Sequence, residues 1–424
     1  MLLDDLISAQ KRHEVRGITS ICSAHPWVLE ATLQHAAHTG DPVLIEATCN
    51  QVNQFGGYTG MSPANFAAYI QNLARKNGVR EEQLLLGGDH LGPNVWQNEP
   101  ADSALQKSAD LVRAYVQAGF TKIHLDASMK LESDNPERPL DVEEMGRRTG
   151  FLARVAEESC NVGCTPPLRY VIGTEVPVPG GATAHEDGVS VTSPQHVSQT
   201  IETIHNAFLK EGLEDAWERV IAVVVQPGVE FGDDFVLDYQ PEKARDLAAY
   251  IESVPRLVYE AHSTDYQTRE NLRSLVRDHF AILKVGPGLT FAYREAIFAL
   301  AMMENEMILE NNHSNLLPIL NDAMNRDPRY WQKYYPGNAQ EQAFKRKFSL
   351  SDRIRYYWPD VYVQQALTIL LNNLNHKPLP LSLLSQYAPR FYECVRHNEN
   401  PNTPEGLITT RIENVIEDYA FACK

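Results

Sequence analysis

Along the first three-quarters of the chain one unit recurs. A short apolar run with β-branched residues comes first, then a polar turn with Gly or Pro, then an amphipathic stretch of helical period. The runs lie at 17–25 (GITSICSAH), 43–50 (VLIEATCN), 84–90 (LLLGGDH), 122–128 (KIHLDAS), 170–176 (YVIGTEV), 220–228 (VIAVVVQPG), 256–262 (RLVYEAH) and 281–288 (AILKVGPG). Eight such units predict parallel strands closed into a (β/α)8 TIM barrel, each strand joined to the next by a right-handed helical crossover. Among the connecting helices, PANFAAYIQNLARKNG begins near Pro63 with Ser62 as its cap, and ADSALQKSADLVRAYVQAG stops at Gly119. The longest irregular stretches, 129–141 and 177–193, follow the fourth and fifth runs, where barrel loops build sites.

After residue 308 the strand-like runs stop. NLLPILNDAMN, VYVQQALTILLNNLN and TRIENVIEDYAFACK read as helices, which divides the chain into a barrel over 1–308 and an all-helical C-terminal domain over 309–424. Aromatic residues are dense in RYWQKYY (329–335) and RIRYYWPD (353–360). The reading we favour is that they pack the helical part onto the barrel. An independent binding module and a contact between copies in a homo-oligomer are the alternatives.

A length of 424 residues suits a barrel of about 250–300 residues with an extension. With 38 basic against 55 acidic residues the net charge is −17, which repels nucleic acid and anionic membranes. A phosphorylated small molecule stays compatible, because a local nest of backbone N–H groups holds an anion against the overall field. The first residues, MLLDDLISAQKRHE, lack the apolar core of a leader, and no run approaches 18 apolar residues, so a cytoplasmic location and no membrane span are expected. Six scattered cysteines fit reduced thiols; Cys160 and Cys164 lack the second pair that a zinc knuckle needs.

Polar residues concentrate at the ends of the runs: Ser23 and His25, Glu46 to Asn50, Asp89-His90, Asp126 to Ser128, Thr174-Glu175, Gln226, Glu260 and His262, and Lys284 before Gly286. In a barrel these ends converge on one mouth, and so many polar groups are costly to cluster without a ligand. His90 and His262 with Glu175 form a candidate site for a divalent metal such as Zn2+, and Asp89 a candidate acid/base. The alternative for His90 is a neutral ring bonded to a neighbouring strand. Glu46 and Asn50 open a loop of amides and glycines suited to sugar hydroxyls, and Asp126 and Ser128 join them as substrate-binding candidates. The N–H groups of Gly286 and Gly288, at the start of the eighth helix, form a candidate phosphate cradle. Lys284 fits an ion pair with a carboxylate or phosphate better than a Schiff base.

With these segments laid out, the chain closely resembles the GatZ/KbaZ (AgaZ) family of D-tagatose-1,6-bisphosphate aldolase subunits. The resemblance rests on CSAHP, LIEATCNQVNQFGGYTGMSP, LLGGDHLGPN, AGFTKIHLDAS, YVIGTEVPVPGG, VVQPGVEF, YEAHSTDYQT, HFAILKVGP and SDRIRYYWP, and covers residues 18–360. It implies a non-catalytic subunit that stabilises and activates a separate class II aldolase catalytic subunit (GatY/KbaY type) in galactitol, N-acetylgalactosamine or tagatose 6-phosphate catabolism. Some members of the family carry a tagatose 6-phosphate kinase label, but this chain has no Gly-x-x-x-x-Gly-Lys loop. A fainter resemblance links it to the class II aldolases themselves. Asp89-His90 looks like their acid/base aspartate and zinc histidine, His262 falls at another zinc histidine, and 173–181, with Glu175, at a Glu…Gly-Gly segment. At the place of the remaining zinc histidine stands Gln226, a poorer ligand. The alternative that this resemblance implies is a metal-dependent ketose-phosphate aldolase or epimerase in its own right.

Overall fold

The structure is a computed structural model and describes residues 2–160, 164, 166–174 and 189–424. Eight parallel strands close into a barrel: β1 (Ile18–Ile21), β2 (Val43–Thr48), β3 (Leu84–Leu91), β4 (Lys122–Leu125), β5 (Arg169–Ile172), β6 (Val220–Val225), β7 (Val258–Ala261) and β8 (Phe280–Val285). Each pairs with its neighbours in sequence, and β8 closes on β1 with Ser20 opposite Lys284. The expected eight runs are these strands. β2 and β6 are buried along their whole length, as a parallel strand covered by helices on one side and a packed barrel on the other must be. Ser62 caps the helix Pro63–Lys76 by accepting from the Asn65 N–H.

The N-terminal end of the barrel is plugged. Leu3, Leu6 and Ile7 of the helix Leu2–Lys11 pack with Ile18, Leu44, Val171, Ile221 and Val258 at the starts of the strands. The chemistry is therefore confined to the opposite end.

Among the described residues no strand follows β8, and the helices after residue 308 share one buried core with the barrel. The last helix, Pro404–Cys423, buries Leu407, Ile408, Ile412 and Ile416 against the helices Pro26–Thr39, Arg269–Arg277 and Pro287–Met307. A short turn of helix, Arg353–Tyr356, carries the second aromatic cluster over the barrel mouth. There Trp358 packs edge-on to Tyr293, and Tyr356 lies between Tyr58 and Tyr330. One cysteine expectation is corrected. Cys160, at the end of the helix Val142–Ser159, turns the chain so that Cys164 returns to a Cα–Cα distance of 5.4 Å, and the two are bonded as a disulfide; the other four cysteines are free. No helix among the described residues is long and apolar enough to cross a membrane.

Candidate functional site at the barrel mouth

Three of the strands place ionisable side chains inside the barrel, where apolar side chains normally fill the layers. Glu46 on β2, Lys122 and His124 on β4, and Glu260 on β7 have no exposed surface. A side chain at position 87 would leave Glu46 no room: a Cβ on Gly87 would stand 2.7 Å from the Glu46 Cγ. The charges are paired. Lys122 Nζ lies 2.5 Å from Glu46 and 2.6 Å from Glu260. Lys284 Nζ lies 2.5 Å from Glu46, 2.6 Å from Asp89 and 3.3 Å from Glu260. Two ammonium groups thus face three carboxylates, which leaves one negative charge over. Burial disfavours the charges of Asp89, Glu260 and Lys284, and the pairing outweighs it. Lys122 and Lys284 hold the Glu260 carboxyl well below the usual range, and Asp89, Cys22, Glu260 and Glu46 hold the Lys284 ammonium well above its own.

Asp89 and His90 owe their aim to a backbone irregularity. The register of β3 on β4 shifts between Gly88 and Leu91, and His90 sits at φ 49°, a left-handed conformation rare for a side chain with Cβ. It is held there from both sides. The His90 N–H donates to His124 Nδ1 at 3.2 Å, and its ring Nδ1 lies 2.8 Å from Asp126. Burial opposes protonation of His90 but is outweighed by Asp89 and Asp126, so its pKa is raised. Burial likewise opposes ionisation of Asp89, and His90 and Lys284 outweigh it, keeping the carboxyl well below the usual range. His262 behaves differently: burial brings its pKa down to about 3 despite a 3.0 Å contact with Glu260, so its ring is neutral. The rings of His90, His124 and His262 stand 4.9–5.3 Å apart.

Above this layer lies a cavity of about 400 Å3. Of the residues expected from the sequence, Asn50, Asp89, His90, His262, Lys284 and Gly286 line it. Others stand behind. Glu46 is enclosed by the two lysines. Ser128 donates to Asp126 at 2.6 Å, and so orients the group that orients His90. Gln226 turns its amide oxygen to the N–H groups of Gly228 and Val229, and Gly286 and Gly288 donate theirs to Asp265 Oδ1 at 2.9 and 2.7 Å. The expected phosphate cradle is therefore filled by a carboxylate of the chain itself. Burial raises the Asp265 pKa to about 6, against the pull of those two N–H groups. Glu175 lies outside the described residues.

Four participants were missed as site residues: Lys122, His124, Glu260 and Arg355. Glu260 stands among the run-end polar residues without a role assigned to it; the signal for Lys122 and His124 was a charged or imidazole side chain inside an otherwise apolar run, which is costly unless paired. Asp89, His124, Glu260 and His262 each offer a ligand atom within 4.8 Å of the others, and His124 Nε2 is buried with no hydrogen-bond partner among the described residues.

The fold is thus a (β/α)8 barrel with an ionised interior and a polar cavity at its strand ends. Residues 3–424 match the family described as D-tagatose-1,6-bisphosphate aldolase subunit GatZ/KbaZ-like. The D-tagatose-1,6-bisphosphate aldolase subunit GatZ of Klebsiella pneumoniae subsp. pneumoniae is 52% identical over 421 residues, and that of Salmonella heidelberg 51%, each alignment covering 99% of both chains. A crystal structure described as a probable tagatose 6 phosphate kinase from Sinorhizobium meliloti 1021 superposes with a TM-score of 0.88 at 42% identity, over 96% of this chain and 100% of that one. The chain belongs to the GatZ/KbaZ-like family of D-tagatose-1,6-bisphosphate aldolase subunits.

Proposed function

We propose that this chain is the non-catalytic subunit of a class II D-tagatose-1,6-bisphosphate aldolase, which binds, stabilises and activates a separate class II catalytic subunit in galactitol, N-acetylgalactosamine or tagatose 6-phosphate catabolism. One observation carries the reading. The positive charge among the mouth carboxylates is the Lys284 ammonium, 2.6 Å from Asp89 and 2.5 Å from Glu46. An Asp89 held ionised by Lys284 and His90 is a poor proton donor, and Gln226, whose oxygen is engaged in its own loop, offers no third imidazole. The cavity is read as a sugar-phosphate site kept for binding. The test is co-expression with a class II tagatose-bisphosphate aldolase catalytic subunit. Co-elution on size exclusion is the expected result; separate elution, with no change in the behaviour of the catalytic subunit, refutes the reading.

A second reading is favoured by the cluster of Asp89, His124, Glu260 and His262. Two imidazoles and two carboxylates, one imidazole nitrogen lacking a partner, fit a divalent ion such as Zn2+. Of these, His124, Glu260 and His262 would hold the ion, with His90 beside them and Asp89 left for the proton, and when bound the ion would polarise a ketose carbonyl for aldol cleavage or epimerisation. Asn50 would orient the sugar hydroxyls and Asp89 would take a proton. Turnover of a ketose bisphosphate by the chain alone, lost in Asp89→Asn and His262→Ala, would establish it; the first reading predicts no turnover with or without added Zn2+.

A further inference from the structure

The cavity read above as a sugar-phosphate site needs a cation for its anion, and the two groups expected to supply the charge or the N–H donors are otherwise engaged. Lys284 is held by three carboxylates, and the Gly286 and Gly288 N–H groups donate to Asp265. The roof supplies another. Arg355, in the short helical turn Arg353–Tyr356, is the one arginine lining the cavity among the described residues. It is half-buried, and its guanidinium is fixed entirely by neutral partners: Nη1 donates to the Ser351 and Asp352 carbonyls, and Nη2 to the Tyr356 hydroxyl at 3.1 Å. Asp352 attracts it electrostatically, but among the described residues no carboxylate forms an ion pair with it. The nearest acid in sequence, Asp352, is turned to Thr290 and Arg294. Burial opposes the charge of this guanidinium, but Tyr356 and Tyr58 first and then Asp352 outweigh it, so the group stays a cation lining the cavity with no ion-paired carboxylate among the described residues, and an anionic ligand can take that place. The neighbouring phenol reports the same field: burial opposes ionisation of Tyr356, but Arg355 and Arg353 outweigh it and lower its pKa.

We propose that Arg355, brought over the mouth by the C-terminal helical part, holds the phosphate of a phosphorylated ketose bound in the cavity. The planar fork suits a phosphate dianion, the cavity volume falls within the range of small-ligand sites, and the amide and imidazole groups of the floor remain for the sugar hydroxyls. In a chain of net charge −17, this is the local cation that lets a dianion enter. The inference rests on the cavity reading of the previous subsection and goes beyond it by naming the anchor and the chemical group it takes.

The test is calorimetric titration of the purified full-length chain with D-tagatose 1,6-bisphosphate, with D-tagatose and with D-tagatonate. The wild type is expected to bind the bisphosphate and to bind it more weakly as salt is raised. Arg355→Gln should lose about tenfold or more in affinity for the bisphosphate while keeping its weak affinity for D-tagatose. If the glutamine variant does not fold, Arg355→Lys is read in its place, with a loss of about threefold or more expected from replacing the fork by a point charge. Equal affinity of a folded variant and the wild type for the bisphosphate overturns the assignment of Arg355 alone. Binding of D-tagatonate in preference to the bisphosphate overturns the choice of phosphate. A wild-type chain that binds none of the three sinks the cavity reading, and this proposal with it.

Discussion

At the scale of single residues, the molecule places five charged side chains where a barrel usually keeps aliphatic ones, and makes them depend on one another. Lys122 has no exposed surface and bridges Glu46 to Glu260. Removing one partner of a buried ion cluster leaves the others unpaired, at a cost of about 3–5 kcal/mol. Lys122→Met is therefore expected to lower the unfolding free energy by roughly that amount in a urea titration. A loss below about 1 kcal/mol would mean that the carboxylates find water or each other instead. Asp265 gives a pH signature of its own. Its pKa rises from 3.8 in the unfolded chain to about 6, so the folded state holds its proton more tightly. The stabilisation this brings is complete below pH 3.8 and lost as pH rises through 6, a change of roughly 3 kcal/mol. Asp265→Asn keeps an acceptor for the Gly286 and Gly288 N–H groups without the charge. Relative to the wild type, the variant should gain stability between pH 4 and pH 7.5. An equal deficit at both pH values would show that the carboxylate is required as an anion.

At the scale of elements, periodicity gave the barrel away and tertiary constraints hid its interior. All eight runs are strands, because parallel strands covered on both faces are mostly apolar, and the polar turn after each marks where it ends. Asp89, His90, His262, Lys284 and Asn50 were legible as mouth residues from their position at run ends. Lys122 and His124 were not, since which side chains inside a run point inward depends on barrel register. The Gly286–Gly288 cradle was readable as a helix start, but its occupant, Asp265, comes from a loop 21 residues earlier and has no local signature. Arg355 lies 70 residues past Val285, the end of the last strand, so only the packing of the helical part brings it to the cavity. That packing runs through the last helix, where Ile412 is completely buried. Ile412→Ala should cost about 2–5 kcal/mol in equilibrium unfolding and loosen the roof as well as the helix. A cost near zero would place the helical part outside the cooperative unit.

At the scale of the whole molecule, one frame serves two ends. The plugged N-terminal face and the shared core fix the barrel, and the mouth holds an ionised layer under a roof that the extension supplies. Lys284, which helps stabilise the layer, also helps make Asp89 a poor acid, and the proposal that a partner carries the catalysis rests on this coupling. The measurement closest to that claim is the specific activity of a class II tagatose-bisphosphate aldolase catalytic subunit titrated with this chain. The account predicts a saturable rise in activity and a longer half-life on warming, reached also with Asp89→Asn, while the chain alone turns over nothing. Activity and half-life that stay flat across the titration, or a rise that vanishes with Asp89→Asn because this chain does the chemistry, would contradict it.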